Sequence, residues 1–222
     1  MQSASKARDL WHRIEQSGVV AIVRAKSAHQ LLAVAEAVRA GGLNAIEVSL
    51  TTPGALEAIR QLADQRWPDL FVGAGTVLDP HGAYAAISAG AQFIICPTLD
   101  PRTIKVCHVY SSPVVPGAYT PTEILTAWRA GADTVKVFPA GAGGPAYIRA
   151  IKAPLPHVSL MAVGGVDLSN AADFIRAGAD MIGVGSALIS HDLLDREEFE
   201  AIARLAARFK EEVLNGRSGP DR

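Results

Sequence analysis

The stretch RAGADTVKVFP, residues 129–139, carries the pattern on which the whole chain is built. An Ala-Gly pair, a short polar link and then Thr134-Val135-Lys136-Val137-Phe138 read as a helix end followed by a buried strand. The same plan returns in RAGGLNAIEVSL (39–50), SAGAQFIICP (88–97) and RAGADMIGVGS (176–186). Between the copies lie helical patterns such as SAHQLLAVAEAVRA and PTEILTAWRA. Strand-like runs also occur at VVAIVRA (19–25), FVGAGTV (71–77), SPVVPGAY (112–119) and SLMAVGGV (159–166). The sum is eight strands alternating with helices, with no internal linker.

Such alternation implies parallel strands joined by right-handed crossovers. Eight units within 222 residues predict an α/β fold, a (β/α)8 TIM barrel at the small end of its size range. A doubly wound open sheet is the competitor, but the count of eight and the lack of a GxGxxG turn after the first strand argue against it. One domain over 1–222 is expected, since barrels of this length fold as a unit. An extra helix over 1–17 is expected to pack on the barrel through Leu10, Trp11 and Ile14 and to stop at Gly18. The polar end, 215–222, reads as a disordered tail.

Hydrophobic residues make up 49% of the chain and charged residues 19%, with a net charge of −1. That balance gives no footprint for nucleic acid or an anionic membrane and points to a small-molecule partner. No apolar run approaches the roughly 18 residues that span a bilayer. The opening residues lack a signal-peptide core, and Asp9 and Glu15 break a transit-peptide pattern. Two cysteines, Cys96 and Cys107, are too few for a disulfide framework and fit a reduced, cytoplasmic setting.

Side chains alternate along a strand, so one parity of each barrel strand points inward. In the second strand Ile46, Val48 and Leu50 suit the helix layer, which turns Ala45, Glu47 and Ser49 inward. By the same rule Lys136 points inward with Thr134 and Phe138, while Arg24 shares its parity with Val20 and Ile22. Thr76 shares its parity with Val72 and Ala74. Four strands thus bring polar groups to the mouth where active sites of this fold lie. A buried Lys136–Glu47 ion pair could simply fix the core, but such pairs are often no more stable than apolar replacements. In an apolar barrel desolvation disfavours the charged amine, and a neutral amine attacks carbonyl carbon to form a Schiff base. Glu47 can move protons beside that imine. Together they are the equipment for metal-free carbon–carbon cleavage.

The last two strands end in VGGVD (163–167) and GVGSAL (183–188), where barrel enzymes frequently bind phosphate. Gly164, Gly165, Gly185 and Ser186 are the candidates, with a following helix N-terminus expected to assist. Small residues in GAGT (73–76) would leave room near Glu47, and Asp167 and Glu123 read as solvated caps. The histidines at 12, 29, 81, 108, 157 and 191 are scattered, with no zinc spacing, and no histidine partners Cys96 as a nucleophile.

At IEVSLTTP, GAGTVLDP, GAQFIICP, VVPGAYTPTE, VKVFPA and AVGGV the chain resembles the 2-keto-3-deoxy-6-phosphogluconate (KDPG) / 4-hydroxy-2-oxoglutarate (KHG) aldolase family, from about Gly18 to Lys210. The resemblance implies a class I Schiff-base aldolase, metal-free and without a cofactor, usually a homotrimer. Its members yield pyruvate and glyceraldehyde 3-phosphate. It further implies Lys136 as the Schiff-base lysine, Glu47 as general acid/base, and Thr76 as holder of the pyruvyl carboxylate. Pro97 and Phe138 would be pocket walls, and Gly164, Gly165, Gly185 and Ser186 the phosphate binders. Many members carry an arginine for the carboxylate where this chain has Thr51; Arg24 is then assigned to the carboxylate or the sugar hydroxyls. GGPAYIRAIKAPLP resembles the branch acting on the galactonate epimer. An isomerase or decarboxylase using Lys136 as a proton donor, and a non-catalytic sugar-phosphate binding protein, are the competing readings.

Overall fold

The computed structural model describes residues 2–24 and 27–218. Every residue of the strand array alternates between two apolar environments, and that alternation builds a barrel with a helical coat. The strands are β1 (Val19–Val23), β2 (Ala45–Ser49), β3 (Phe71–Gly75), β4 (Ile94–Ile95), β5 (Val114–Val115), β6 (Gly117–Ala118), β7 (Val135–Val137), β8 (Leu160–Val163) and β9 (Met181–Val184). All pairings are parallel, in the order β5-β4-β3-β2-β1-β9-β8-β7-β6.

The two ends of that order are the two halves of one strand. Only Pro116 separates β5 from β6, and a proline has no N–H for the ladder. Cys96 N–H donates to Val115 O at 2.9 Å on one side, and Lys136 N–H donates to Pro116 O at 2.9 Å on the other. The strand therefore hands over from β4 to β7 at the proline, and eight strand positions close into the expected (β/α)8 barrel.

The helical coat is α2 (Ala28–Ala40), α3 (Ala55–Asp64), α4 (Pro80–Ser88), α5 (Pro101–Val109), α6 (Pro121–Arg129), α7 (Gly144–Lys152), α8 (Ala171–Arg176), α9 (His191–Asp195) and α10 (Phe199–Arg217). Three of these start with proline behind a side-chain cap: Asp79 before α4, Asp100 before α5 and Thr120 before α6. Fixed φ and a capped first turn set the helix starts at the strands' carboxyl ends. α10 runs to Arg217, so the stretch expected as a tail from 215 is helical at its start; residues 219–222 lie outside the described residues, as does Ala25 of the first strand-like run.

Outward positions Val19, Ala21, Ile46, Val48, Val135, Val137, Ile182 and Val184 pack under the helices in one cluster. Inward positions Val20, Ile22, Ala45, Phe71, Ile95, Val115, Met161 and Met181 form a second cluster inside the barrel. The leading helix α1 (Gln2–Ser17) belongs to the inner cluster: Trp11 and Ile14 are buried in it and Leu10 packs against it. α1 therefore stoppers the amino-terminal end of the barrel. Trp11 lies 5.9 Å from Phe93, ring to ring, and its Nε1–H donates to Thr134 Oγ1 at 3.1 Å. Thr134 and Ser159 hydroxyls each donate to Glu15 Oε1 at 3.1 Å, which gives these two groups under the stopper a partner. Gly18, at φ +73°, is the left-handed residue that ends the helix and turns the chain into β1.

Trp11→Ala removes both the ring packing and the Thr134 hydrogen bond. It is expected to cost about 3–5 kcal/mol in unfolding free energy, measured by urea denaturation; a cost below about 1 kcal/mol would contradict the stopper role.

Candidate active site

The carboxyl ends of the strands enclose a cavity of about 520 Å³, within the size range of small-molecule sites. All ten residues singled out from the sequence line it: Arg24, Glu47, Thr76, Pro97, Lys136, Phe138, Gly164, Gly165, Gly185 and Ser186. They come from seven different strands, so only the closed barrel brings them together.

Glu47 is 1% exposed and Lys136 is 5% exposed. Glu47 Oε2 is buried with no hydrogen-bond partner among the described residues. Burial pushes the Glu47 carboxyl above the usual carboxylate range, and the charges of Lys136 and then Arg24 pull it back in part. A buried ion pair that fixed the core would have both carboxylate oxygens engaged. Here one oxygen is left free, and Glu47 and Lys136 both line the cavity. The Lys136 Nζ sits 5.0 Å from the centroid of the Phe138 ring, which is partly exposed at the mouth.

Room for the carboxylate comes from β3. Above Phe71 its inward positions are Gly73 and Gly75, in register with Glu47 and Ser49 of β2. A side chain at Gly73 would run into the Phe93 ring, and one at Gly75 would overlap Glu47 Oε1. Gly75 is glycine because the carboxylate occupies the volume its side chain would fill.

Thr76 reaches the cavity against the alternation rule. Val72 and Ala74, which share its parity, pack under the helices. Parity alone would send Thr76 the same way; instead its φ of +55° breaks the alternation directly after β3. That conformation is unfavourable for a β-branched residue, by about 1–3 kcal/mol. The turned hydroxyl meets Ser49 Oγ at 2.8 Å, and Ser49 Oγ meets Thr51 Oγ1 at 2.9 Å. Sequence reading placed Ser49 inward but gave it no function; the lone small polar residue beside Glu47 was the available signal.

After β8, Gly164 and Gly165 adopt φ of +85° and +80°, a left-handed pair that glycine takes without strain. After β9 the chain makes a single turn, with Leu188 and Ile189 N–H donating to Gly185 O, and the next helix, α9, starts only at His191. The helix N-terminus expected here is therefore one turn. Gly165, Val166, Ser186 and Ala187 line the cavity, and their backbone N–H groups have no hydrogen-bond partner among the described residues. Free backbone amides beside a cavity can attract anions. Arg24 stands next to them: a side-chain carbon added at Gly185 would lie 3.8 Å from Arg24 Nη1.

The remaining expectations resolve simply. Asp167 caps its own loop, accepting from Ser169 N–H at 2.8 Å and Ser169 Oγ at 2.6 Å, while also lining the cavity. Glu123 closes the capping box of α6. Burial pushes the Cys96 and Cys107 thiols up to about 12, so both are packing residues. His12, His81, His108, His157 and His191 are exposed, and the His29 side chain lies outside the described residues. Among the described residues no group of three or more His, Cys, Asp or Glu side chains could hold a metal ion, and no helix is long and apolar enough to cross a membrane.

A closed (β/α)8 barrel with an inward lysine and a buried, unpartnered carboxylate at its mouth fits a lyase. The chain is 36% identical to the 2-dehydro-3-deoxy-phosphogluconate aldolase of Pseudomonas aeruginosa over 188 residues, 84% of this chain and 85% of the relative. It is 39% identical to the 2-dehydro-3-deoxy-6-phosphogalactonate aldolase of Escherichia coli, over 86% of this chain and 92% of the relative. The crystal structure of the Legionella pneumophila KDPG aldolase, with pyruvate captured as a covalent carbinolamine, superposes with a TM-score of 0.83 at 28% identity, covering 89% of this chain and 96% of that one. The family model for KDPG and KHG aldolases matches residues 11–205, and the chain belongs to that family of aldolases.

Gly75→Ala is expected to displace the Glu47 carboxylate and lower aldol turnover by about 10²-fold in a protein that still folds, checked by circular dichroism beside the rate. Retained activity would show that the carboxylate has another resting place. Burial also makes Glu47 a pH-dependent liability. Its folded-state pKa lies above the ordinary 4.5, so its stabilising protonation is present below the unfolded pKa and lost as pH rises through the folded one. Glu47→Gln cannot ionise and should gain melting temperature over the wild type as pH is raised from about 4 to about 8. A difference that stays constant with pH would contradict the assignment.

Proposed function

We propose that the chain is a Schiff-base aldolase that cleaves 2-dehydro-3-deoxy-6-phosphogluconate to pyruvate and glyceraldehyde 3-phosphate. The observation that carries this is the pairing of a nearly inaccessible Lys136 with a Glu47 oxygen that has no partner, in one cavity with four free amides. Lys136 Nζ attacks the C2 carbonyl and water leaves, giving an iminium ion. Glu47 takes the proton of the C4 hydroxyl; the C3–C4 bond breaks, its electrons flow to the iminium nitrogen, and the aldehyde departs. The enamine then gains a proton at C3, and hydrolysis of the imine returns pyruvate and free Lys136. No metal and no cofactor enter the scheme.

In this reading the amides of the glycine loops, with Gly164, Gly165, Gly185 and Ser186, receive the phosphate. Thr76 receives the pyruvyl carboxylate, and Pro97 and Phe138 wall the pocket. Arg24 follows β1 and Thr76 follows β3, on opposite sides of Glu47 in the sheet order. Its place beside Gly185 supports the sugar hydroxyls or phosphate for Arg24 rather than the carboxylate. A second reading, cleavage of the 6-phosphogalactonate epimer, is favoured by the 39% identity to the E. coli enzyme named for it. A homotrimer in the cytoplasm completes the proposal; its support is the family resemblance.

Incubation with pyruvate and sodium borohydride, read by intact-protein mass, should add one pyruvyl group to the wild type and none to Lys136→Ala. Cleavage rates on the two epimeric sugar acids then rank the substrates. A wild type that takes up no adduct would overturn the aldolase reading.

A further inference from the structure

Resting on that reading, we infer that Ser49 and Thr51 are positioning residues: with Thr76 they form a directed chain of hydroxyls that delivers one donated hydrogen bond to the substrate carboxylate. Ser49 is wholly buried and lies two residues beyond Glu47 on the same inward face of β2. Its Oγ is 2.8 Å from Thr76 Oγ1 and 2.9 Å from Thr51 Oγ1, with no other partner among the described residues.

A carboxylate only accepts hydrogen bonds, whereas a hydroxyl offers a single proton. For Thr76 to donate into the cavity, it must accept from Ser49. The Ser49 proton is then spent, so Ser49 accepts from Thr51, whose exposed hydroxyl can in turn be filled by solvent. The direction Thr51 to Ser49 to Thr76 to carboxylate follows from proton counting alone, and each donation polarises the next.

The backbone supports the same conclusion. Thr76 holds a left-handed φ of +55°, which a β-branched residue adopts only when its surroundings impose it. Without that turn the side chain would join Val72 and Ala74 under the helices. With it, the hydroxyl enters the cavity and lands on Ser49. A neutral relay thus serves on β2 and after β3, with Thr76 two strands from Arg24 and three or more from the loops after β8 and β9.

The test measures the ligand concentration that half-saturates borohydride trapping on Lys136, for pyruvate and for its neutral methyl ester. Ser49→Ala and Thr76→Val should each raise the pyruvate value roughly three- to tenfold and the ester value clearly less, since a neutral ester carbonyl is the weaker acceptor. Thr51→Val should raise it less, and Thr76→Ser, which keeps the hydroxyl, should restore most of the wild-type value. A merely structural role would shift pyruvate and ester equally; that result, or no shift for either, overturns the inference. A wild type that traps neither ligand overturns the aldolase reading, and the relay with it.

Discussion

A closed parallel barrel leaves its strands no choice about where the inward half of their side chains goes. Every second residue of eight strand positions enters one narrow column, and the column must be filled or used. Its lower part is filled: Phe71, Phe93, Ile95, Met161 and Met181 pack there around Trp11 and Ile14 of the leading helix. Its upper part is where glycines and polar residues replace bulk. The division between packed floor and reactive mouth follows from residue size along each strand, with Glu47 sitting one inward step above Ala45 and Lys136 one above Thr134.

The mouth runs against stability in two places. A carboxylate with a buried, unpartnered oxygen costs free energy, and so does a threonine in left-handed backbone. Local contacts relieve them only in part: Lys136 and Arg24 offset some of the burial of Glu47, and Ser49 meets the Thr76 hydroxyl. Both are held by the layers around them, where the outer cluster of strand and helix residues is almost completely excluded from water. The floor serves as the rigid support, so that the strained groups keep their places without a ligand.

The strand–helix alternation and the inward parity of Glu47 and Lys136 were legible because a period of two in a short apolar run leaves few alternatives. The glycines after β8 and β9 were legible through their position in the repeat. Three features were not. Parity predicts the wrong side for Thr76, because a single backbone dihedral, invisible in composition, reverses it. The split of the fifth strand at Pro116 hides inside SPVVPGAY, where the proline could equally have ended the strand. Gly75 reads as a small residue leaving space, but that its volume is taken by one particular oxygen is a fact of tertiary packing. After β9 the next helix begins one turn later than the glycines, because Ser190 is the residue whose side chain caps it.

The free amides of Gly165, Val166, Ser186 and Ala187 belong to the main chain, and that gives the site an uneven capacity to change. No single side-chain replacement deletes an N–H, save a proline. Under the proposed reading, residues that meet the middle of a ligand can therefore drift while the anion handle at its end is inherited intact. Descendants of such a chain would diverge first in which hydroxyls they recognise, and last in whether they require a charged terminus at all.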